Sequence, residues 1–444
     1  MPKLYKITAP GQDDSKASYL FGTMHVSDPD ITQLSPITEH ALHNSKQVLL
    51  EIEDPTDAFT QESYLKEILA SWINKNKTGP KLSDDKINIV IDLMAELEGK
   101  TLSAKERNLQ FTLLRDLPPI YLIITLGNLV KAKGNDNLEV LDTVIANKAE
   151  ELNIPIKGLE LDVIHFNALL AASMDAKAQV EYIEGTVNFD DLKDSAATKL
   201  AFSQKAQATK EAYLSGDIDY ARKQEDALIQ KSAHPERVRQ YYDMFLHARD
   251  RTMARNMKKP LDEGNAFAGI GFMHLKGVVA ILQSLGYKIE PVTLRDEMVF
   301  KLSSYITLLK DKVLNATDDK IKFTSASNLL FKLEEIRSKL QSPEADLKNL
   351  GMEINAAITK ARTDIGLTET PVMKDGKAVS NIGLFGKLKA KVRGDDVMSL
   401  KVFIKSFHDD EQFKSIMNKA SIASSVDKEE KNQTHSLAGG PGRS

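Results

Sequence analysis

Two short stretches of the chain share one pattern, Gly22-Thr-Met-His25 and Gly271-Phe-Met-His274. Each closes a run of small or apolar residues, Ser18-Tyr-Leu-Phe-Gly22 in the first case and Ala266-Phe-Ala-Gly-Ile270 in the second. An imidazole can accept a proton, donate one, or ligate a metal at neutral pH. One Gly-x-x-His carries little information. Two, far apart in the chain and each ending an apolar run, point to a shared edge of one sheet. A third group joins them in Gln47-Val-Leu-Leu-Glu51-Ile-Glu53. An unpaired carboxylate in a buried strand is costly, so Glu51 requires a metal, a cation or a strong hydrogen-bond donor, whereas Glu53 can face solvent. Two imidazoles and a carboxylate form a ligand set for a catalytic divalent ion with an open position. Such an ion polarises a carbonyl and acidifies water. Without metal the same groups can do acid–base chemistry. The competing reading is that both histidines hold loops by hydrogen bonds.

Three further residues could complete such a site. Glu160 ends Asn153-Ile-Pro-Ile-Lys-Gly-Leu-Glu160, and is either a proton acceptor or the cap of a helix that starts near Asp162. Arg255 and Asn256 precede the run that leads to His274. Arg255 could pair with a glutamate or hold an oxyanion, or serve as a helix-end cation. His40 and His43 have i, i+3 spacing but read as a surface helix. His-Glu-x-x-His, Gly-x-Ser-x-Gly, phosphate-loop and Rossmann signatures are all missing from the sequence.

The elements that must position these groups are legible as an α/β pattern. Strands are expected at Leu4–Ile7, Ser18–Gly22, Gln47–Glu53, Asn153–Glu160, Ala266–Ile270 and Tyr287–Val292. Gly269 and Gly271 allow close approach of other groups to the last-but-one strand. Helices fill the intervals: one begins at Pro36, several span about 58 to 133 and 162 to 259, and another covers 138–152. The helix carrying Val238, Tyr241, Tyr242, Phe245 and Leu246 is expected to end near Arg255-Asn-Met257. Val278, Ile281, Leu282 and Leu285 give an apolar stripe after Gly277, with Gly286 as its C-cap.

Beyond Val292 the pattern becomes helical without strands, with Leu329, Leu330, Leu333, Ile336 and Leu340 in one stripe. The expected division is 1–293 for the α/β part, 294–423 for a helical region and 424–444 for a disordered tail. A polar linker is expected at Thr368–Ser380. Residues 382–393, basic and mildly amphipathic, can lie on an anionic membrane or form a solvated surface helix.

Composition narrows the field. The 444 residues suggest two domains. A formal charge of −4 argues against a general nucleic-acid binder. The lack of cysteine excludes disulfides, thiol chemistry and Cys-held zinc. The N-terminus, Met1-Pro-Lys-Leu-Tyr-Lys-Ile7, has no signal-peptide core, and no run reaches the length of a membrane span. The expectation is a soluble protein, cytoplasmic as made.

Taken in order, these blocks resemble the TraB/GumN family, whose animal branch is TIKI. The blocks are Gly22-Thr-Met-His25, Leu50-Glu51, Leu141-Asp142 with Ala149, Pro155-Ile-Lys-Gly158-Leu-Glu160, Arg255-Asn256, and Gly269-Ile-Gly271-Phe-Met-His274-Leu-Lys-Gly277 through Gly286-Tyr-Lys-Ile-Glu-Pro-Val292. The resemblance spans roughly residues 1–293. It implies an erythromycin-esterase/ChaN-type α/β fold, a central mixed sheet surrounded by helices. It also implies a metal-dependent peptidase with His25, Glu51 and His274 as metal ligands and Glu160, Arg255 and Asn256 as catalytic residues. Manganese or cobalt is implied ahead of zinc, with a peptide or protein as substrate. The alternative is a non-enzymatic binding or signalling protein on the same fold. The helical C-terminal region lies outside the family core and, with the polar tail, would suit an exported bacterial effector.

Overall fold

A computed structural model describes residues 4–26, 28–52, 79–120, 122, 139–160, 174–315, 320–342, 344–364, 372–374 and 377–379. Glu53, His165, the segment 382–393, the helix expected at 400–414 and the tail from 424 lie outside the described residues, as do parts of the helices expected at 58–133 and 162–259.

Six strands form one sheet: β1 Leu4–Thr8, β2 Ser18–Thr23, β3 Gln47–Leu50, β4 Ile156–Gly158, β5 Ala266–Gly271 and β6 Lys288–Pro291. Their order is β4-β3-β5-β2-β1-β6. The four strands β4, β3, β5 and β2 run parallel, and β1 is antiparallel to both β2 and β6. This is the mixed sheet expected from the sequence. The central strand β5 is buried along Ala266–Ile270, as its continuous apolar run requires of a parallel strand covered on both faces. Its Phe267 lies 6.1 Å from Phe21 of β2, ring centroid to centroid.

Helices supply the cover. Among them are α1 Pro36–His43, α2 Asp84–Glu98, α3 Ala104–Asp116, α4 Leu141–Glu151, α5 Ala176–Thr186, α6 Ser195–Ser215, α7 Tyr220–Lys231, α8 Pro235–Tyr242, α9 Ala248–Glu263 and α10 Leu275–Ser284. Helix α2 shows how the sequence sets local structure. Asp84 and Asp85 occupy its first turn, and Gly99 at φ 68° ends it. Between them Ile87, Val90 and Ile91 are buried at i, i+3, i+4 spacing. Helix α3 starts with a reciprocal cap between Ser103 and Glu106.

Helices α8 and α9 are one continuous rod joined by a π-helical turn, Asp243–His247. The sequence pattern ends this rod near Met257, whereas the structure carries it to Glu263. Met257, Pro260 and Leu261 keep burying one face beyond the polar Arg255-Asn256 pair, so packing decides its length.

The chain divides into two compact units, Met1–Leu34 with Thr38–Pro291, and Ser35–Ile37 with Val292–Ser444. In the second, α11 Leu294–Asn315, α12 Lys320–Leu340 and α13 Leu347–Asp364 pack together around Leu302, Ile306, Leu333, Ile336 and Ile354. Within the expected linker, Val372–Lys374 pairs antiparallel with Lys377–Val379, so a short ribbon stands there. No helix among the described residues is long and apolar enough to cross a membrane.

Phe267→Ala removes a fully buried ring from the middle of the sheet. The expected cost is about 3–5 kcal/mol, measured by urea unfolding.

Candidate functional site

The parallel strands place four expected residues along one edge. Thr23 pairs with Gly271, and Leu50 pairs with both Gly269 and Gly158. His25, Glu51, Glu160 and His274 therefore all follow the C-terminal ends of neighbouring parallel strands, where open α/β sheets bind ligands. The ladder extends past β3 and β4, with Leu159 N donating to Leu50 O at 2.8 Å and Glu160 N to Glu51 O at 2.9 Å. Glu51 and Glu160 are thus direct neighbours.

Glu51 is 7% exposed. Its Oε1 accepts from the Gly271 backbone N–H at 2.5 Å, and its Oε2 accepts from Arg249 Nη2 at 2.7 Å. A Cβ on residue 271 would sit 2.8 Å from Glu51 Oε1, which is why glycine stands there. Arg249 also donates from Nε to Glu160 Oε2 at 2.8 Å. One guanidinium therefore bridges two carboxylates that sit 9% and 11% exposed at their side chains. Burial opposes ionisation of Glu51, but His274, Arg249 and His25, with the Gly271 N–H, outweigh it and hold the carboxyl at about 2. Burial likewise opposes the charge on Arg249, and Glu51 and Glu160 overcome it and raise its pKa.

Each Gly-x-x-His histidine meets a buried aspartate. His274 Nδ1 lies 2.7 Å from Asp250 Oδ1 in a hydrogen bond. His25 Nδ1 lies 3.1 Å from Asp142 Oδ2, an oxygen that makes no hydrogen bond. The other oxygen of Asp142 accepts from Thr23 Oγ1 at 2.9 Å. The two rings differ in exposure: the His274 side chain is 5% exposed and that of His25 is 49% exposed. Tyr213 of α6 braces the first motif by donating to Gly22 O at 3.1 Å and packs edge-on against Phe272. Burial first, and then the charge of Asp142, raise the pKa of its phenol.

Arg255 and Asn256 are the residues that the sequence brings to this edge from the rod. The structure brings Arg249, not Arg255, to the two glutamates, and Arg255 is exposed. Six residues along an α-helix rotate the face by about 600°, which leaves the two arginines about 120° apart. Asn256 donates from Nδ2 to Leu159 O at 2.6 Å; it holds the backbone just before Glu160 and acts at one remove. The residues missed were Arg249, Asp250 and the role of Asp142. A signal was present. Asp250 shares the buried face of α9 with Met253, Ala254 and Met257, and Asp142 that of α4 with Ile145, Ala146 and Ala149. An acid at helical spacing with buried apolar residues needs a partner.

The donors here suit a divalent cation in kind: two imidazoles, each with a carboxylate beside Nδ1, and an ionised glutamate. Their spacing is open, because Glu51 has both oxygens committed and does not gather with His25 and His274 into a group of ligand atoms. Among the described residues one such group has ligand atoms within 4.8 Å of one another, Glu181, His234 and Glu236. That cluster already holds a cation, since Arg237 Nε donates to Glu181 Oε2 at 2.6 Å. Its Glu236 side chain is 57% exposed.

A mixed α/β sheet with a histidine pair and two Arg-bridged glutamates at its parallel edge defines the class of protein. The chain belongs to the TraB/PrgY/gumN family, whose pattern it matches over residues 4–291. No curated protein and no solved structure matches the chain.

Arg249→Met would leave two buried carboxylates without their cation. The expected loss is about 3–5 kcal/mol at pH 7 by urea unfolding, shrinking at low pH as Glu51 takes up its proton. Glu51 has a depressed pKa, so its contribution is full above its ordinary value of 4.5 and is lost as pH falls toward about 2. Glu51→Gln should therefore flatten the stability profile between pH 4.5 and 2.

Proposed function

We propose that this edge is the active centre of a metal-dependent hydrolase that acts on peptide or protein substrates. The observation that carries the proposal is the pairing of two strand-end histidines with buried aspartates around an ionised, buried Glu51. Family membership supports it, because the motifs lie inside the matched residues.

His25, Glu51 and His274 are the groups that would hold the ion, manganese or cobalt ahead of zinc. When bound, it would supply Lewis acidity at a substrate carbonyl and make water a better nucleophile at neutral pH. The protein's own groups do the rest. Gly271 N–H and Arg249 keep Glu51 anionic. Glu160, fastened to Arg249 through Oε2, is assigned as the proton acceptor. Asn256 fixes the backbone beside Glu160.

A second reading, a binding or signalling protein on the same fold, is favoured by one feature: Arg249 already occupies an oxygen of both Glu51 and Glu160. Export as a bacterial effector is compatible with either reading and rests on the helical C-terminal region and the polar tail.

Purified wild type is expected to bind manganese or cobalt stoichiometrically and to cleave members of a peptide library. His25→Ala and His274→Ala should each lower metal content at least about tenfold and abolish cleavage. Negligible metal in all three proteins, with the library intact in manganese, cobalt and zinc, would overturn the hydrolase and leave the binding reading.

A further inference from the structure

Behind His274 runs a chain of polar groups that the proposed chemistry does not use. Asp250, 2% exposed, spends Oδ1 on His274 Nδ1 at 2.7 Å and Oδ2 on Arg222 Nη2 at 2.9 Å. Arg222 Nη1 contacts the His247 ring, 3.0 Å from Nε2, and approaches Glu225 Oε2 at 3.4 Å. His247 Nε2 lies 3.1 Å from Glu225 Oε1. The π-helical turn ends at His247, so the rod delivers His247, Arg249 and Asp250 in close succession. π-turns recur at functional sites.

The geometry points to Asp250 as a positioning residue that fixes the tautomer of His274. A carboxylate only accepts, so the ring must carry a proton on Nδ1, and in its neutral form it keeps its lone pair on Nε2. Arg222 matters because it binds the other oxygen and prevents the carboxylate from turning. The chain makes room for this arrangement at Gly277, in the first turn of α10, where a methyl group would overlap Asp250 Oδ2 and Cγ. His25 is held differently. Its Asp142 has one oxygen on Thr23 and one without a hydrogen bond, and the ring is half exposed. His274 is the buried member of the pair and His25 the half-exposed one.

The inference rests on the reading of His274 as a working group of the site, but its chemistry can be tested without metal or substrate. In Asp250→Asn, Arg222 still demands an oxygen. The amide oxygen must therefore face Arg222, and its NH2 must face His274 Nδ1, which then becomes the acceptor. In serine proteases, asparagine in place of the aspartate behind the catalytic histidine imposes the wrong tautomer in this way. The double variant Arg222→Leu/Asp250→Asn frees the amide to turn its oxygen back to His274.

The experiment is ring 15N NMR of histidine-labelled, metal-free, full-length protein, with a backbone spectrum to check that each variant is folded. Wild type is expected to show His274 protonated on Nδ1. Asp250→Asn should move the proton mainly to Nε2, and the double variant should restore the wild-type signature. Gly277→Ala should also lose the Nδ1–H signature with every titratable residue in place. In parallel, manganese titration should show about 10–100-fold weaker binding for Asp250→Asn. An unchanged His274 tautomer in folded Asp250→Asn, or a wild type already protonated on Nε2, overturns the assignment. A tautomer switch in a protein whose wild type binds no manganese, cobalt or zinc and cleaves no member of the peptide library supports the assignment and removes the hydrolase reading.

Discussion

A buried carboxylate has to be answered by charge or by donors, and at the sheet edge Glu51 is answered by both. Arg249 and the Gly271 N–H take its two oxygens. This demand reaches far into the structure. It excludes a side chain at position 271, sets β5 against β3 in the observed register, and calls for an arginine from a helix that approaches from outside the sheet. Glu160 then has its place beside Glu51, because Arg249 has capacity for a second carboxylate.

The rod formed by α8 and α9 carries out several of these tasks together. Arg249 and Asp250 are consecutive, and consecutive residues on a helix point about 100° apart. One therefore reaches the two glutamates while the other reaches His274. Asn256, two turns on, ties the same rod to the end of β4 through Leu159 O. Displacement of the rod would disturb Glu51, Glu160 and His274 together, which makes the edge a single electrostatic unit. Coupled buried networks of this kind resist partial rearrangement.

Within the TraB/PrgY/gumN family the chain carries a helical unit beyond the matched residues. Its three long helices bury a separate core around Leu302, Leu333 and Ile354. The first unit contains all the strand-end groups of the site, so the proposed chemistry belongs to that unit.

Much of this was legible in the sequence. The doubled Gly-x-x-His, each after an apolar run, marked two strand ends. The carboxylate in Val48-Leu-Leu-Glu51 announced a need for compensation, and Gly271 announced a close approach. These signals are local: periodicity, turn residues and the cost of burying charge act within a few positions of the chain. The identity of the compensating groups is another matter. Arg249 and Arg255 carry the same side chain on the same helix, and only the packing of that helix against the sheet chooses between them. Asp142 and Asp250 likewise become partners of His25 and His274 through contacts between distant elements. Residue type fixed which charges needed partners, and tertiary packing chose those partners, because a hydrogen bond depends on position in space and the sequence specifies only order along the chain.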